Sequence, residues 1–600
     1  MASQVMIHLL GAPRIEVPGG SDAHLRGRKS WAVLAYLALT RRPASRQHLS
    51  ALLFPDADDP LGALRWALAD LRRTLGSAIR LTGDPVELHL AAGTTVDAEL
   101  VLTGTGEGWR TAVPGELLEG IHLEGCPSFD TWLEIERRRV GAACEAVLHE
   151  QALRHLGYGR LTEAVSSASR LVELNPLEEN NQVLLVRCLT AAGQTDTARE
   201  QVERCTRLFH RELDVVPSAA LETALRAGRG STHTGASRGR EAALAQLEAG
   251  QAAVNAGAVD AGLECLRRAV GDAAAAGEDE IRVRALIALG SALVHGVRGR
   301  DEEGAAVLHE ALARAEDAGE RRAAARITRE LAFVDVQAGR RHRADTWLDR
   351  AVSLTDDEAE LAAVLGIRGM NLSDSARYAE ALTALDESVG RAHSSGAPRQ
   401  AAWSSSLVGR VHLLRGDSAA AAEALDHSLE IVRAESWVAF APWPESLRAE
   451  VDRTEGRPGP AHSRLEHAFA LACQLGDPCW EGIAARGVGL LEADGHDLPA
   501  ALRWLEDAGL RCGRWPDAYQ WIRGHVLDAT CTVAIACGHP RASTWVEELS
   551  ALAARGEMAE LVARSHVHRA HLGRPGAVEA AVDSAAGLDN PLVAEMVSAL

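Results

Sequence analysis

A mainly α chain is predicted, with a short mixed α+β segment at the N-terminus and a superhelix of paired helices over most of the rest. Three observations predict it. Small and apolar residues return together about every 40 positions from residue 266 onward. Residues 5–98 instead place short alternating runs around three helical stretches. A chain of 600 residues also exceeds what one hydrophobic core can serve, so several domains or a repeat array are required.

In chain order, Val5–Val17 alternates weakly and holds Gly11 and Pro13, as short strands would. A first helix is expected over Ser30–Leu39, with Trp31, Leu34, Ala35 and Ala38 on one face. Pro43 lies in the following loop. Ser45 is placed to cap a second helix carrying Leu49, Leu52 and Leu53 and ending at Pro55. The third helix has Asp59 as its cap, Pro60 at its first position and Gly76 past its end. Its expected buried stripe is Leu61, Leu64, Leu68, Leu71 and Leu75, which turns Arg65, Trp66, Ala69, Arg72 and Arg73 outward. Ile79–Leu81 and Val86–Leu90 then flank Thr82-Gly83-Asp84-Pro85 as a hairpin.

Strands, three helices and a hairpin in this order make a winged helix-turn-helix, whose third helix would enter the major groove of double-stranded DNA. Charge agrees with that reading. From His24 to Arg80 ten basic residues (Arg26, Arg28, Lys29, Arg41, Arg42, Arg46, Arg65, Arg72, Arg73 and Arg80) face four acids. This local basic excess stands in a chain of net charge −20, which argues against indiscriminate nucleic-acid binding by the whole molecule. The alternative for the third helix is a solvated face with incidental arginines.

The downstream repeat is read from pairs of residues three apart: Leu266/Ala269, Leu308/Ala311, Leu348/Ala351, Leu385/Ser388, Leu425/Ser428, Leu465/Ala468 and Leu505/Ala508. Val546 and Val582 continue the series less regularly. Four positions before each pair stands a small residue (Gly262, Gly304, Ala344, Ala381, Ala421, Ala461, Ala501, Ala542). Nine positions before stands a glycine in six copies; Gly495 and Gly538 miss by one and Ala376 breaks the rule. A glycine that ends one helix, followed by a small residue and a leucine on the next, is how stacked helix pairs read. The columns resemble the tetratricopeptide family, with longer helices than its usual period of about 34 residues would hold. Such arrays present a groove to a peptide, protein or small ligand, or act as passive spacers.

Between the two parts, Val96-Asp97-Ala98-Glu99 leads into Gly115-Glu116-Leu117-Leu118-Glu119-Gly120, Phe129-Asp130-Thr131-Trp132-Leu133 and Glu136-Arg137-Arg138-Arg139. Two helix pairs follow, one holding Gly159, Ala164, Ala168, Leu171 and Pro176, the other Gly193, Ala198, Val202 and Cys205. The segment closes on Glu212-Leu213-Asp214-Val215-Val216-Pro217-Ser218. It resembles the bacterial transcriptional activation domain of the Streptomyces antibiotic regulatory protein family. Upstream, Arg26-Gly27-Arg28-Lys29-Ser30-Trp31, Leu53-Phe54-Pro55-Asp56-Ala57 and Leu71-Arg72-Arg73 resemble that family's winged helix. The resemblance covers roughly residues 1–228 and implies a cytoplasmic activator of antibiotic-biosynthesis genes that reads promoter direct repeats and contacts RNA polymerase. Trp66 and Asp70 depart from the polar or basic residues usual on the third helix. Larger members carry an ATPase domain where this chain has only Ser231–Arg240, so ATP-driven switching is not expected.

Other chemistry is set aside. Lys29, the only lysine, follows Arg28 in Gly-Arg-Lys-Ser, which is not a phosphate-binding loop, and no other lysine could form a Schiff base. Neither a GxSxG nucleophile motif nor a dinucleotide loop occurs. No cofactor and no metal are expected: His566, His568 and His571 lack an acidic or thiol partner at ligand spacing, and helix capping accounts for Asp56, Asp58 and Asp59. The ten cysteines show no CxxC pair and read as buried free thiols of a reducing cytoplasm. No apolar run reaches the roughly 20 residues of a membrane span, and Met1–Gly11 lacks the features of a signal peptide.

The expected organisation is a winged-helix DNA-binding domain at 1–98, a helical activation domain at 99–228, a linker at 229–240 and a tetratricopeptide-type array at 241–600. The DNA-binding candidates are Arg65, Trp66, Ala69, Arg72, Arg73, Arg41, Arg42, Arg46, Arg28, Lys29 and Arg80. Trp437, Trp443, Trp480 and Trp504 are candidates for a groove holding an unknown protein or small-molecule effector, against simple repeat packing; Phe440, Trp515, Trp521 and Trp545 stand in the same aromatic-rich stretch. A second copy of the chain is a further candidate partner. The competing reading is a scaffold or adaptor that does not bind DNA. Neither reading makes the protein an enzyme.

Overall fold

The computed structural model describes residues 5–17, 24–103, 115–227 and 239–600. They separate into two compact units, one of residues 1–147, 546–587 and 593–600, the other of residues 148–545 and 588–592. The linker expected at 229–240 lies outside the described residues except for its last two positions.

The first unit begins with β1 (Val5–His8), β2 (Arg14–Glu16), α1 (Arg28–Thr40), α2 (Arg46–Leu53), α3 (Pro60–Leu75), β3 (Ile79–Thr82), β4 (Glu87–Leu90), β5 (Thr94–Val96) and α4 (Asp97–Thr103). Strand β1 pairs antiparallel with β2 and parallel with β5, while β3 and β4 form the hairpin wing. Local chemistry sets the helix starts. Ser45 accepts from the His48 amide (3.0 Å), and Asp59 accepts from that of Gly62 (2.8 Å) with Pro60 behind it. Gly76 ends α3 at a φ of 52°, which costs a glycine little. Leu64, Leu68, Leu71 and Leu75 are buried as expected, but Leu61 is 44% exposed. It lies in the first turn, ahead of the core, and Ala67 takes an inward place.

The helix α5 (Pro127–Gly157) closes this core with Phe129 and Trp132, whose rings lie 5.4 Å apart; Trp132 also meets Tyr36 of α1 at 5.0 Å. Asp97 fastens the sheet by accepting from the Leu9 (2.8 Å) and Leu10 (3.2 Å) amides. Arg137 reaches the carbonyls of Leu117 and Leu118.

The second unit contains α6 (Leu161–Leu174), α7 (Glu179–Ala191), α8 (Thr195–Leu213) and α9 (Ala220–Ala227), then consecutive helix pairs from Arg240–Asn255 with Val259–Ala276 to Pro478–Asp494 with Leu498–Cys512. Most array helices have about 17 residues, as in Asp301–Asp317 and Arg321–Gln337, which accounts for the long period. The leucine and small-residue columns are buried on the second helix of each pair. In five of the seven pairs the leucine enters a hollow opposite a glycine on the first helix; the helices Arg321–Gln337 and Pro442–Thr454, which precede Leu348 and Leu465, hold no glycine. A Cβ on Gly369 would stand 2.4 Å from Leu385 Cγ, and one on Gly409 2.5 Å from Leu425 Cγ. Gly290/Leu308 and Gly489/Leu505 repeat the contact. The turn between paired helices needs a left-handed residue; where glycine is missing, Ala376 (φ 60°) and His496 (φ 65°) adopt that conformation themselves.

All ten cysteines are free, and six are buried. Cys473 and Cys537 are exposed, contrary to expectation, because they fall in or just after the last turn of a helix. Among the described residues no helix is long and apolar enough to cross a membrane.

Candidate functional site

The outward face of α3 carries Arg65, Trp66, Ala69, Arg72 and Arg73, all exposed. Arg65 is paired with the capping Asp59 at 3.2 Å, both at the surface, where such a pair exchanges readily for another anion. Arg72 donates to the Leu81 carbonyl (3.2 Å) and so ties α3 to the wing. Asp70 is not part of this face. It is fully buried and accepts from the Arg26 amide (3.1 Å) and the Ser30 hydroxyl (3.0 Å), fixing the start of α1; Arg73 closes over it. Trp66 is 53% exposed and lies over Gly27, where a Cβ would meet its ring at 3.7 Å.

The remaining basic candidates are either exposed or engaged by neighbouring groups. Arg28 and Arg80 are exposed on α1 and β3. Lys29 sits with its Nζ 4.7 Å over the Phe54 ring. Arg41 pairs with Glu99 at 3.2 Å. Arg46 reaches the Gly83 carbonyl (3.4 Å), and its amide donates to Asp84 (2.9 Å), holding α2 to the wing. Arg42 donates to the carbonyl of Ala586, and His48 of α2 lies 3.6 Å from Asp583. The helix Ala577–Ala585, which the sequence assigns to the array, thus belongs to the same compact unit as the winged helix and occupies the side of α2. His566 and His568 are buried in the preceding helix, Ala559–His571, and burial lowers His566 to about 3. Among the described residues no group of three or more His, Cys, Asp or Glu is placed to hold a metal ion.

In the second unit, the end of α5 and helix α7 meet the array through charge. His149 Nε2 lies 2.6 Å from Glu302, which also binds Arg340. Arg343 approaches His149 Nδ1 at 3.2 Å and pairs with Asp335. Burial and Arg340 hold His149 down at about 4, so the ring is neutral at physiological pH. Asn180 of α7 donates to Asp517 at 2.8 Å.

Beside these contacts, the first helices of successive pairs and the loops joining them enclose a cavity of about 390 Å³. Trp437, Trp443 and Trp480 line it together with Trp515 and Phe440. Trp437 stacks on Phe440 (4.4 Å between centroids), and Trp443 meets Trp480 at 5.2 Å. Trp443 is oriented by an Nε1 hydrogen bond to Ser406 (3.1 Å). Asp477 caps the helix that carries Trp480 and binds Arg298 at 2.7 Å. Trp504 is placed elsewhere, edge-on to Phe469 at 5.4 Å. Trp521 covers the fully buried Arg410 at 4.4 Å, and Trp545 stacks on His539.

Sequence reasoning missed Phe333, Trp403 and Tyr519 in this wall, and the carboxyls of Asp301 and Asp517. The wall residues fall on different turns of successive helices, so they form no column. Tyr519 is placed by Asp374 (2.8 Å) and Arg410 (2.7 Å), two charged residues buried within the array.

Residues 87–227 match the bacterial transcriptional activator domain. No curated protein matches the chain. Solved structures resemble parts of the chain at low identity and low TM-score. The structure of Mycobacterium tuberculosis EmbR in complex with a low-affinity phosphopeptide is 16% identical, with a TM-score of 0.28 over 38% of this chain and 65% of that one. A Rap protein complexed with Competence and Sporulation Factor is 13% identical, with a TM-score of 0.41 over 60% and 89%. Aspartyl phosphate phosphatase F from Bacillus subtilis is 10% identical, with a TM-score of 0.36 over 68% and 93%.

Proposed function

We propose that this chain, which carries a bacterial transcriptional activator domain at residues 87–227, is a sequence-specific DNA-binding activator whose repeat array receives a signal. The observation that carries the reading is the open basic face of α3, with Arg65, Ala69, Arg72 and Arg73 exposed directly ahead of that domain. Helix α3 reads bases in the major groove, while the wing and the basic residues flanking α2 meet phosphates. The activator domain contacts RNA polymerase. Because Arg42 and His48 are engaged by the C-terminal segment, that segment restrains DNA binding. The test is a mobility shift of the full chain on the DNA upstream of its own gene. A retarded band lost on Arg65→Ala together with Arg72→Ala supports the reading, and no shift at any salt concentration contradicts it.

One observation favours the adaptor reading. Trp66 is large, aromatic and half exposed on α3, the kind of side chain that anchors protein interfaces. If Trp66→Ala abolishes capture of a protein partner while DNA binding is absent in the parent chain, the winged helix docks protein.

A further inference from the structure

The cations around the array cavity are already matched. Arg298 is bound by Asp477 at 2.7 Å, and Arg329 by Glu360 at 2.6 Å and Glu330 at 3.1 Å. His295 faces Glu330 at 2.6 Å, and Arg399 lies over Trp437, 3.9 Å from Glu435. Of the three lining acids, Asp477 is paired with Arg298, but Asp301 and Asp517 are not matched by a cation. Among the described residues Asp301, buried at the start of its helix, accepts only from the Gln337 side-chain amide, Nε2 (3.0 Å). Asp517 accepts from Asn180 (2.8 Å) and from the Glu302 amide (3.4 Å). Among the described residues no cationic group stands within 4 Å of either carboxyl. Burial, and then each carboxyl's acidic neighbours, push Asp301 well above the carboxylate range and Asp517 up to about 7. Carboxyls withdrawn from water without a cation, fully at Asp301 and partly at Asp517, are costly, and a cationic ligand would neutralise them.

Facing these acids are indole and phenyl rings, whose π faces attract cations as well as flat apolar groups. The volume suits a small ligand and is too small for a folded partner. We propose that the cavity binds a small organic cation with an aromatic or other flat apolar body, its amine facing Asp301 and Asp517 and its body against Trp443 and Trp480. This deepens, and rests on, the reading of the array as the signal-receiving part. Asp517 is held by Asn180, and Glu302 next to Asp301 is held by His149. Occupancy therefore reaches the activator domain through direct hydrogen bonds.

Proton movement follows from the same charges. Asp301 faces Asp517, Glu302, Asp477 and Arg298, and Asp517 faces Glu302 and Arg340. An added ammonium favours the ionised carboxyls, so binding near neutral pH releases a proton to the buffer.

The experiment is calorimetry on the full chain with three matched probes: naphthylethylammonium, naphthylethanol and naphthylacetate. The ammonium is expected to bind at least about tenfold tighter than the alcohol, with the carboxylate weakest, and its enthalpy to vary with the buffer's ionisation enthalpy. Asp301→Asn should erase the preference for charge, and Trp480→Ala should weaken both the ammonium and the alcohol. If Asp301→Asn does not fold, Asp517→Asn carries the same comparison, and the buffer dependence of the parent chain tests the claim without any substitution. Equal binding of ammonium and alcohol, enthalpy independent of buffer, or no binding to a chain with a normal thermal transition would each overturn the proposal. No DNA is present, so such a failure leaves the DNA-binding reading standing, and ammonium binding by a chain that fails to shift DNA would overturn only that reading.

Discussion

His48 of α2 and Asp583 near the C-terminus stand 3.6 Å apart, Nε2 to Oδ2, within one compact unit. They are separated by nearly the whole chain, yet they share a surface with Arg42 and the Ala586 carbonyl. A segment far from the winged helix in sequence thereby takes up hydrogen-bonding capacity beside a helix expected to meet phosphates.

Removing that engagement should release α2. Asp583→Ala is expected to tighten DNA binding several-fold at fixed salt, with no change in the bases preferred. Filter binding on a cognate and a random duplex checks it. Unchanged affinity for both would show that the C-terminal contact exerts no restraint.

Base reading should lie with α3 and phosphate contact around α2. Arg65→Ala should cost about 1–3 kcal/mol at a cognate site and blur its sequence preference. Neutralising Arg41, Arg42 and Arg46 together should weaken all sequences alike and flatten the dependence of log affinity on log salt by up to about three units. Equal losses on cognate and random DNA for Arg65→Ala would move that residue to the backbone, and an unchanged slope for the triple variant would remove α2 from the interface.

The glycine hollows of the array make a sharper stability test. Gly369→Ala places a methyl 2.4 Å from Leu385 Cγ and should lower stability by about 1–3 kcal/mol. His496→Gly, at a φ of 65°, should raise it by about 0.5–1 kcal/mol by relieving left-handed strain. Denaturant midpoints of the full chain report both. A neutral Gly369→Ala would show that the helix pairs pack more loosely than the hollows indicate.

Acid should weaken the contact between the activator domain and the array. Burial and Arg340 lower His149 from 6.5 to about 4, so the folded form holds it neutral while the unfolded form protonates it first. Its contribution is present above pH 6.5 and is lost as pH falls toward about 4. His149→Gln should therefore flatten the stability profile between those limits. A profile that parallels the parent's would assign the acid transition to other groups.

The array is legible in the sequence because one packing contact recurs. Leu385 and Leu425 occupy the same hollow in successive pairs, so the same residue types return. The α3 helix is legible because Asp59, Pro60 and Gly76 mark its ends. The glycine column fails at Ala376 and His496, where tertiary packing holds ordinary residues in a left-handed turn. Asp70 reads as a surface acid until Ser30 and the Arg26 amide are brought to it. The cavity acids leave no pattern, since Asp301 and Asp517 lie 216 positions apart and only the winding of the superhelix makes them neighbours. The approach of Asp583 to His48 is likewise a single long-range contact without periodicity.

The most direct test of the central claim is selection of DNA from a random pool by the full chain, run in parallel with Asp583→Ala and Arg65→Ala. A sequence-specific activator should enrich one motif, recovered as direct repeats. The yield should rise for Asp583→Ala, and the motif should degrade for Arg65→Ala. Recovery of no motif by the parent chain and by Asp583→Ala alike, or an undiminished motif after Arg65→Ala, would contradict the assignment of α3 as the DNA-reading helix.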